Sequence, residues 1–281
     1  MEKAFEIKNL NKAYKDFALK NVNLSLPKGY IMGFVGKNGA GKSTTMNCML
    51  GVAKADSGSI KILGNDISEL TTADKEKVGV VMDGCPFAEI LNVSNIESIL
   101  KNTYKNWDSE RFNTLRKRFS LPKDKAIKNF STGMRAKLNI AIALSHNAQL
   151  LILDEATSGL DPVVRDEILD ILQDFVQDEN HSILISSHIT SDLEKICDYI
   201  AFIKDGEIVF VENKDDLLEN FAIIHCKNDD FANVPQEAVI RSHSNSFSTQ
   251  ALVRKDKLVG DFVMDKPSIE DIMLYYTKEV Q

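Results

Sequence analysis

Gly36-Lys37-Asn38-Gly39-Ala40-Gly41-Lys42-Ser43, followed by Thr44, fits the pattern G-x-x-x-x-G-K-[ST]. The backbone N–H groups of such a loop wrap a row of phosphates. Its glycines let the chain turn tightly and approach an anion without a Cβ in the way. Gly36, Asn38, Gly39, Ala40, Gly41, Lys42, Ser43 and Thr44 are therefore the expected nucleotide contacts. The Lys42 ammonium reaches the β- and γ-phosphates, and the Ser43 hydroxyl is a ligand for Mg²⁺. The flanks agree. Tyr30-Ile31-Met32-Gly33-Phe34-Val35 reads as a buried strand entering the loop, and residues 42–50 read as a helix leaving it, closed by Gly51. A glycine-rich turn matching by chance would lack that strand and helix. The stretch predicts a nucleoside triphosphate site.

The remaining composition narrows what such a site serves. The 281 residues suffice for a large domain with an appendage, and 43% hydrophobic and 27% charged residues are ordinary for a soluble globular chain. A net charge of −7 argues against broad nucleic-acid binding, which normally leaves a basic excess. No apolar run approaches a membrane span, and Met1-Glu2-Lys3-Ala4-Phe5-Glu6 does not read as a signal peptide. Cys48, Cys85, Cys197 and Cys226 are scattered, with no C-x-x-C pair, and read as reduced thiols in the cytoplasm.

Before the loop, residues 4–10 and 18–26 alternate apolar and polar as exposed antiparallel strands do. Tyr14 lies between them, where it could stack on an adenine or stand as a surface tyrosine. After the loop helix, residues 55–64 give a turn and another alternating strand. The run Val78-Gly79-Val80-Val81-Met82 reads as a strand buried on both faces. From about residue 93 to 147 helical patterns dominate, so a helical subdomain inserted at about 84–148 is expected. Its basic residues Arg111, Arg116, Lys117 and Arg118 read as a solvated helix face. Buried strands resume at Leu150-Leu151-Ile152-Leu153 and Ser182-Ile183-Leu184-Ile185-Ser186. Between them Asp161 and Pro162 start a helix as N-cap and first residue. Lys204-Asp205-Gly206-Glu207 joins two apolar runs as a hairpin. Beyond Asn213 come short strand-like runs at 222–226, 238–240 and 262–264, a polar interruption at 242–248 and a final helix over 268–276. No further chemistry is visible there.

A carboxylate at the C-terminal end of a strand beside the loop strand is needed to hold Mg²⁺, and Asp154 fits. The next residue, Glu155, can orient or deprotonate an attacking water. His188, ending the following strand, can contact the γ-phosphate. Adjacent carboxylates could instead cap a helix, and a lone histidine there is often structural; the company of the loop favours catalysis.

The glycine-rich loop, Phe130-Ser131-Thr132-Gly133-Met134, residues 150–155, Ser158-Gly159-Leu160-Asp161 and Ser187-His188 occur in the order of the Walker A, signature, Walker B, D-loop and H-loop of ATP-binding-cassette (ABC) ATPases. The resemblance covers roughly residues 4–215. It implies an α/β P-loop core with a mixed sheet, an antiparallel β subdomain and the helical insertion, followed by a small α+β appendage at 216–281. It implies ATP and Mg²⁺ as cofactors and two domains paired head to tail. Each ATP then lies between one P-loop and the other domain's Ser131, Thr132 and Gly133, with Asp161 helping the pairing. Two positions depart from the family. Thr132 and Met134 replace the first glycine and the glutamine of the usual L-S-G-G-Q. Asp83 stands where the Q-loop glutamine contacts the metal and signals to the membrane partner; as an oxygen ligand it can keep the contact.

The function this implies is the ATPase subunit of a bacterial ABC transporter. Separate transmembrane permease subunits and a second ATPase subunit are its partners, and it sits peripherally on the inner face of the cell membrane. Resemblance to exporter ATPases for peptides and antibiotics favours export. A soluble ABC ATPase of translation or DNA repair is the alternative, but those generally carry tandem cassettes or a long coiled coil, which this chain lacks. A small-molecule kinase would give no reason for Ser131-Thr132-Gly133 and His188.

Overall fold

The computed structural model describes residues 2–82 and 84–277. Two alternating strands open the chain, β1 (Lys3–Ala13) and β2 (Ala18–Pro27), followed by the buried β3 (Ile31–Val35) and helix α1 (Lys42–Met49). Next come β4 (Ser57–Ile62), the short β5 (Asn65–Asp66), α2 (Thr72–Lys75) and β6 (Val78–Val81). Three helices follow, α3 (Val93–Thr103), α4 (Ser109–Arg118) and α5 (Thr132–Ala143). The core resumes with β7 (Leu150–Asp154), α6 (Pro162–Phe175), β8 (Ser182–Ser186), α7 (Thr190–Ile196), β9 (Tyr199–Lys204) and β10 (Glu207–Asn213). The last part holds α8 (Lys214–Asn220), β11 (Phe221–Lys227), α9 (Asn228–Phe231), β12 (Val239–Ser244), β13 (Ser248–Arg254), β14 (Val263–Asp265) and α10 (Ile269–Thr277).

The central sheet runs β10-β9-β3-β8-β7-β6. It is parallel from β9 to β6, and the hairpin strand β10 is antiparallel. Both faces are covered, which explains the uninterrupted apolar runs. Leu150, Ile152 and Leu184 enter one core with Met32, Phe34 and the β1–β2–β4 strands, while Leu151, Leu153, Ile183 and Ile185 enter another with α5 and α6. The antiparallel sheet β2-β1-β4-β5 packs beside α1. This is the mixed α/β architecture that the sequence predicts.

Two readings change. The run at 78–82 is not buried on both faces: β6 is the edge of the sheet, Gly79 and Val81 are buried, and Val80 is 39% exposed. The polar stretch at 242–248 does not interrupt the strands; it ends β12 and turns into β13, a strand absent from the expectation. Asn245 accepts from the N–H groups of Phe247 and Ser248, so polar residues build that turn. The region after Asn213 packs onto the core. Its sheet, β12-β13-β11-β14, buries Ala222, Ile224, Val234, Ala251 and Val253 among themselves. Leu252, Ile269 and Ile272 join the main core, Tyr276 packs with Phe202 and Phe210, and the Ile269 N–H donates to Glu194 Oε1 at 2.6 Å.

Candidate nucleotide site

The loop at 36–43 connects β3 to α1 as the pattern demands. A Cβ on Gly36 would stand 2.5 Å from the Ile203 carbonyl oxygen, so only glycine fits against β9. Gly41 is the N-cap of α1 with φ 117°, a backbone that L side chains rarely adopt. Thr45 Oγ1 donates back to the Gly41 carbonyl at 2.9 Å, and the Gly206 N–H of the β9–β10 hairpin donates to the Ala40 carbonyl at 3.0 Å. The loop is thus held from below by the hairpin. Lys37, Asn38, Gly39 and Ser43 are exposed, Thr44 is half-buried, and Gly36, Ala40, Gly41 and Lys42 are buried. No side chain caps α1, which leaves its first-turn N–H groups available to an anion.

Lys42 is 6% exposed and its ammonium donates to the Gly36 carbonyl at 2.7 Å. Burial pushes its pKa down, and the nearby carboxylates of Glu155 and Asp154 oppose that shift. An ammonium carries three donors, and burial makes a further anionic partner favourable.

Asp154 and Glu155 stand at the end of β7 beside the loop strand's neighbour β8. Asp154 is 6% exposed and accepts from Ser186 Oγ at 2.5 Å. The Glu155 N–H donates to the same Ser186 Oγ at 3.0 Å and to the Ser186 carbonyl at 3.2 Å. Glu155 has φ 52°, a left-handed conformation that redirects its side chain off the strand and costs about 1–3 kcal/mol. One carboxylate oxygen lies 3.9 Å from Lys42 Nζ, and the other is 2.6 Å from His188 Nδ1. Lys42, Glu155 and His188, far apart in sequence, therefore form one cluster at the loop.

Tyr14 sits in the β1–β2 turn, 52% exposed, with Lys12 Nζ 5.3 Å from its ring centre. Its N–H donates to the Phe17 carbonyl, and the Phe17 ring edge lies where a Cβ on Gly41 would come within 2.9 Å. The turn thus borders the loop, while the Tyr14 ring makes no aromatic or hydrogen-bonding contact with a loop residue among the described residues. Ser131 is the N-cap of α5, its hydroxyl accepting from the Met134 N–H at 3.2 Å, and the helix begins at Thr132. No hydrogen bond or ion pair among the described residues links Ser131, Thr132 or Gly133 to the loop at 36–44. Asp161 is exposed and caps α6, accepting from the Val163 and Val164 N–H groups at 3.1 and 3.0 Å. Asp83 lies outside the described residues. Sequence reading gives Ser186 no role; its signal is a hydroxyl at the C-terminal end of a strand whose three central residues are apolar.

The ABC transporter family pattern matches residues 19–158. The lantibiotic transport ATP-binding protein SrtF of Streptococcus pyogenes is 37% identical over 212 residues, which is 75% of this chain and 91% of that protein. This chain is a member of the ABC transporter ATP-binding family. The ABC transporter ATP-binding protein YtrB of Bacillus subtilis is 29% identical over 269 residues, 94% of this chain and 92% of YtrB. That match necessarily reaches well past Asn213. Among solved structures, an ATP-binding subunit of an ABC transporter aligns with TM-score 0.71 at 25% identity, over 77% of this chain and 92% of that one. The ABC ATPase fold is thereby established, and with it ATP hydrolysis as the activity of this transporter subunit; the translation or repair alternative falls away.

Proposed function

We propose that this ABC ATPase drives export through separate transmembrane subunits, as a pair of cassettes on the inner face of the cell membrane. Its relatives support the direction: SrtF is named for lantibiotic transport, and BcrA of Enterococcus faecalis, 34% identical over 74% of this chain and 69% of that protein, for bacitracin transport. Lys42 and the loop N–H groups bind the triphosphate, Glu155 orients and deprotonates the attacking water, and His188 holds Glu155 and meets the γ-phosphate. The Ser43 hydroxyl and the Asp154 carboxylate are hard oxygen donors suited to Mg²⁺, with Asp83 as a third candidate. When bound, Mg²⁺ neutralises charge on the phosphates.

The observation that carries the reading is that one chain assembles Lys42, Glu155 and His188, while no hydrogen bond or ion pair among the described residues joins Ser131 or Gly133 to them. Gly133 strengthens it. Replacing a glycine by alanine at a backbone that alanine can adopt commonly stabilises by about 0.4–1 kcal/mol, and at Gly133, the second residue of α5, the nearest atom to a Cβ would be Val164 Cγ1 at an ordinary 3.7 Å. No contact among the described residues requires that glycine, and its bare backbone leaves room for a phosphate approaching from a second cassette. The membrane partner has a suitable seat in an apolar cleft of about 930 Å³ beside β6, lined by Leu50, Val52, Ile67, Val80, Met82 and Tyr104. Residues 1–215 form the ATPase domain in this reading, with residues 84–148 as its helical subdomain and residues 216–281 as an accessory unit.

Glu155→Gln tests the assignment. Steady-state hydrolysis should vanish, while ATP and Mg²⁺ should drive a stable dimer on size-exclusion chromatography. A variant that hydrolyses ATP like the wild type removes Glu155 from the reaction.

A further inference from the structure

Beneath the site lies a buried polar cluster that the reaction as described does not use. Asp192, on α7 and 4% exposed, accepts from Thr157 Oγ1 at 2.9 Å, and Thr157 is fully buried. The same Asp192 oxygen faces Arg165 Nε on α6 at 3.8 Å. Arg165 Nη2 donates to the Leu160 carbonyl at 3.1 Å, while its Nε is buried with no hydrogen-bond partner among the described residues. Burial pushes the Asp192 carboxyl above its ordinary range, against the Thr157 hydrogen bond and the Arg165 charge. A buried, imperfectly paired charge cluster is a poor source of stability, since packed apolar residues commonly do as well or better. Its value lies in what it holds.

What it holds is the loop at 155–161. That loop starts at Glu155, strained at φ 52°, and ends at Asp161, the cap of α6. Asp192 takes it by the Thr157 hydroxyl and Arg165 takes it by the Leu160 carbonyl, one grip near each end. Asp192 also belongs to the helix that begins two residues after His188. A single buried carboxylate therefore ties the segment carrying Glu155 to the segment carrying His188, whose side chains meet at 2.6 Å.

We propose that Asp192, with Thr157 and Arg165, is a positioning cluster for hydrolysis: it fixes Glu155 relative to His188 without touching ATP. The inference rests on the hydrolytic role given to Glu155 above. A misplacement of about 1 Å at a reacting group can cost about 100-fold in rate.

The test uses the full chain and steady-state ATP hydrolysis. Asp192→Asn and Thr157→Val should each lower kcat by about 10- to 100-fold with KM for ATP within about twofold. Both disturb one linkage, so the double variant should be no slower than about the worse single. Three results would overturn the proposal: kcat within about twofold of wild type for both variants, a rate loss that disappears on normalising to folded protein, or multiplicative losses in the double variant. Thr157→Val keeps side-chain shape, so the question stays answerable if Asp192→Asn folds poorly. If Glu155→Gln abolishes hydrolysis while both of these variants are unaffected, the positioning role alone fails. If Glu155→Gln turns over normally, the underlying reading fails first.

Discussion

Ser186→Ala removes one oxygen that serves both carboxylate-bearing residues of the site. Ser186 is fully buried; its hydroxyl donates to Asp154 at 2.5 Å and accepts from the Glu155 N–H at 3.0 Å. A hydrogen bond to a charged group contributes about 1.5–3 kcal/mol and a neutral one about 0.5–1.5 kcal/mol. The Glu155 N–H keeps the Ser186 carbonyl at 3.2 Å, so most of the second contribution survives. Asp154, only 6% exposed, loses a donor that water cannot easily replace. The expected loss is about 2–3 kcal/mol of folding stability, read as a lower urea midpoint at unchanged slope. Hydrolysis should also slow by at least about tenfold, because Asp154 turns more freely and Glu155 is less firmly held. If the midpoint shift corresponds to less than about 0.5 kcal/mol and turnover is unchanged, the hydroxyl does not organise the site as argued.

Three further outcomes are expected. His146 stacks on Tyr104 at 4.3 Å and donates from Nδ1 to the Glu76 carbonyl, and burial depresses its pKa. The unfolded chain therefore binds the proton more readily. The stability from His146 is full above about pH 6.5 and falls below it by at most about 1.4 kcal/mol per pH unit, and His146→Phe should flatten that slope in urea titrations from pH 7 to 5. Ile272→Ala, at a fully buried position of the main core, should cost about 2–5 kcal/mol and lower the single calorimetric transition of the chain; an unchanged cassette transition would mean that α10 folds apart from it. Gly133→Ala should raise the melting stability of the lone chain by about 0.5–1 kcal/mol yet weaken ATP-driven dimer formation; unimpaired dimerisation would remove the argument for an approaching phosphate.

Legibility from sequence followed the range of the interactions involved. The glycine loop was readable because its constraints are local: a strand, a turn needing φ 117° at Gly41, and a helix. Asp161 and Pro162 declared a helix start for the same reason, and the structure places both as expected. Ser186 was invisible because its importance comes from pairing β8 with β7, a relation between residues 32 positions apart in the hydrogen bond to Asp154. The Asp192 cluster joins three segments and leaves no periodic trace. Strand β6 was misread because an apolar run does not reveal which strand stands at the edge; Val80 is apolar and yet exposed. The same exposure gives the cleft beside β6 its apolar wall.

The features that cost this chain stability point in one direction. Lys42 is buried with its charge only partly matched, Glu155 occupies a left-handed backbone, and Gly133 weakens a helix turn that has room for a side chain. A sequence selected for folding alone would relieve each of them, by an exposed lysine, a glycine at position 155 and an alanine at 133. The first two are explained by a row of phosphates on the loop and a carboxylate turned toward it, both within one chain. The third is not, because no hydrogen bond or ion pair among the described residues joins the start of α5 to that loop. An anion at the N-terminal turn of α5 would have to come from outside the chain, and the anion this family handles is the γ-phosphate of ATP. The glycine at 133 is therefore the feature that supports the proposed pairing of two cassettes at each site.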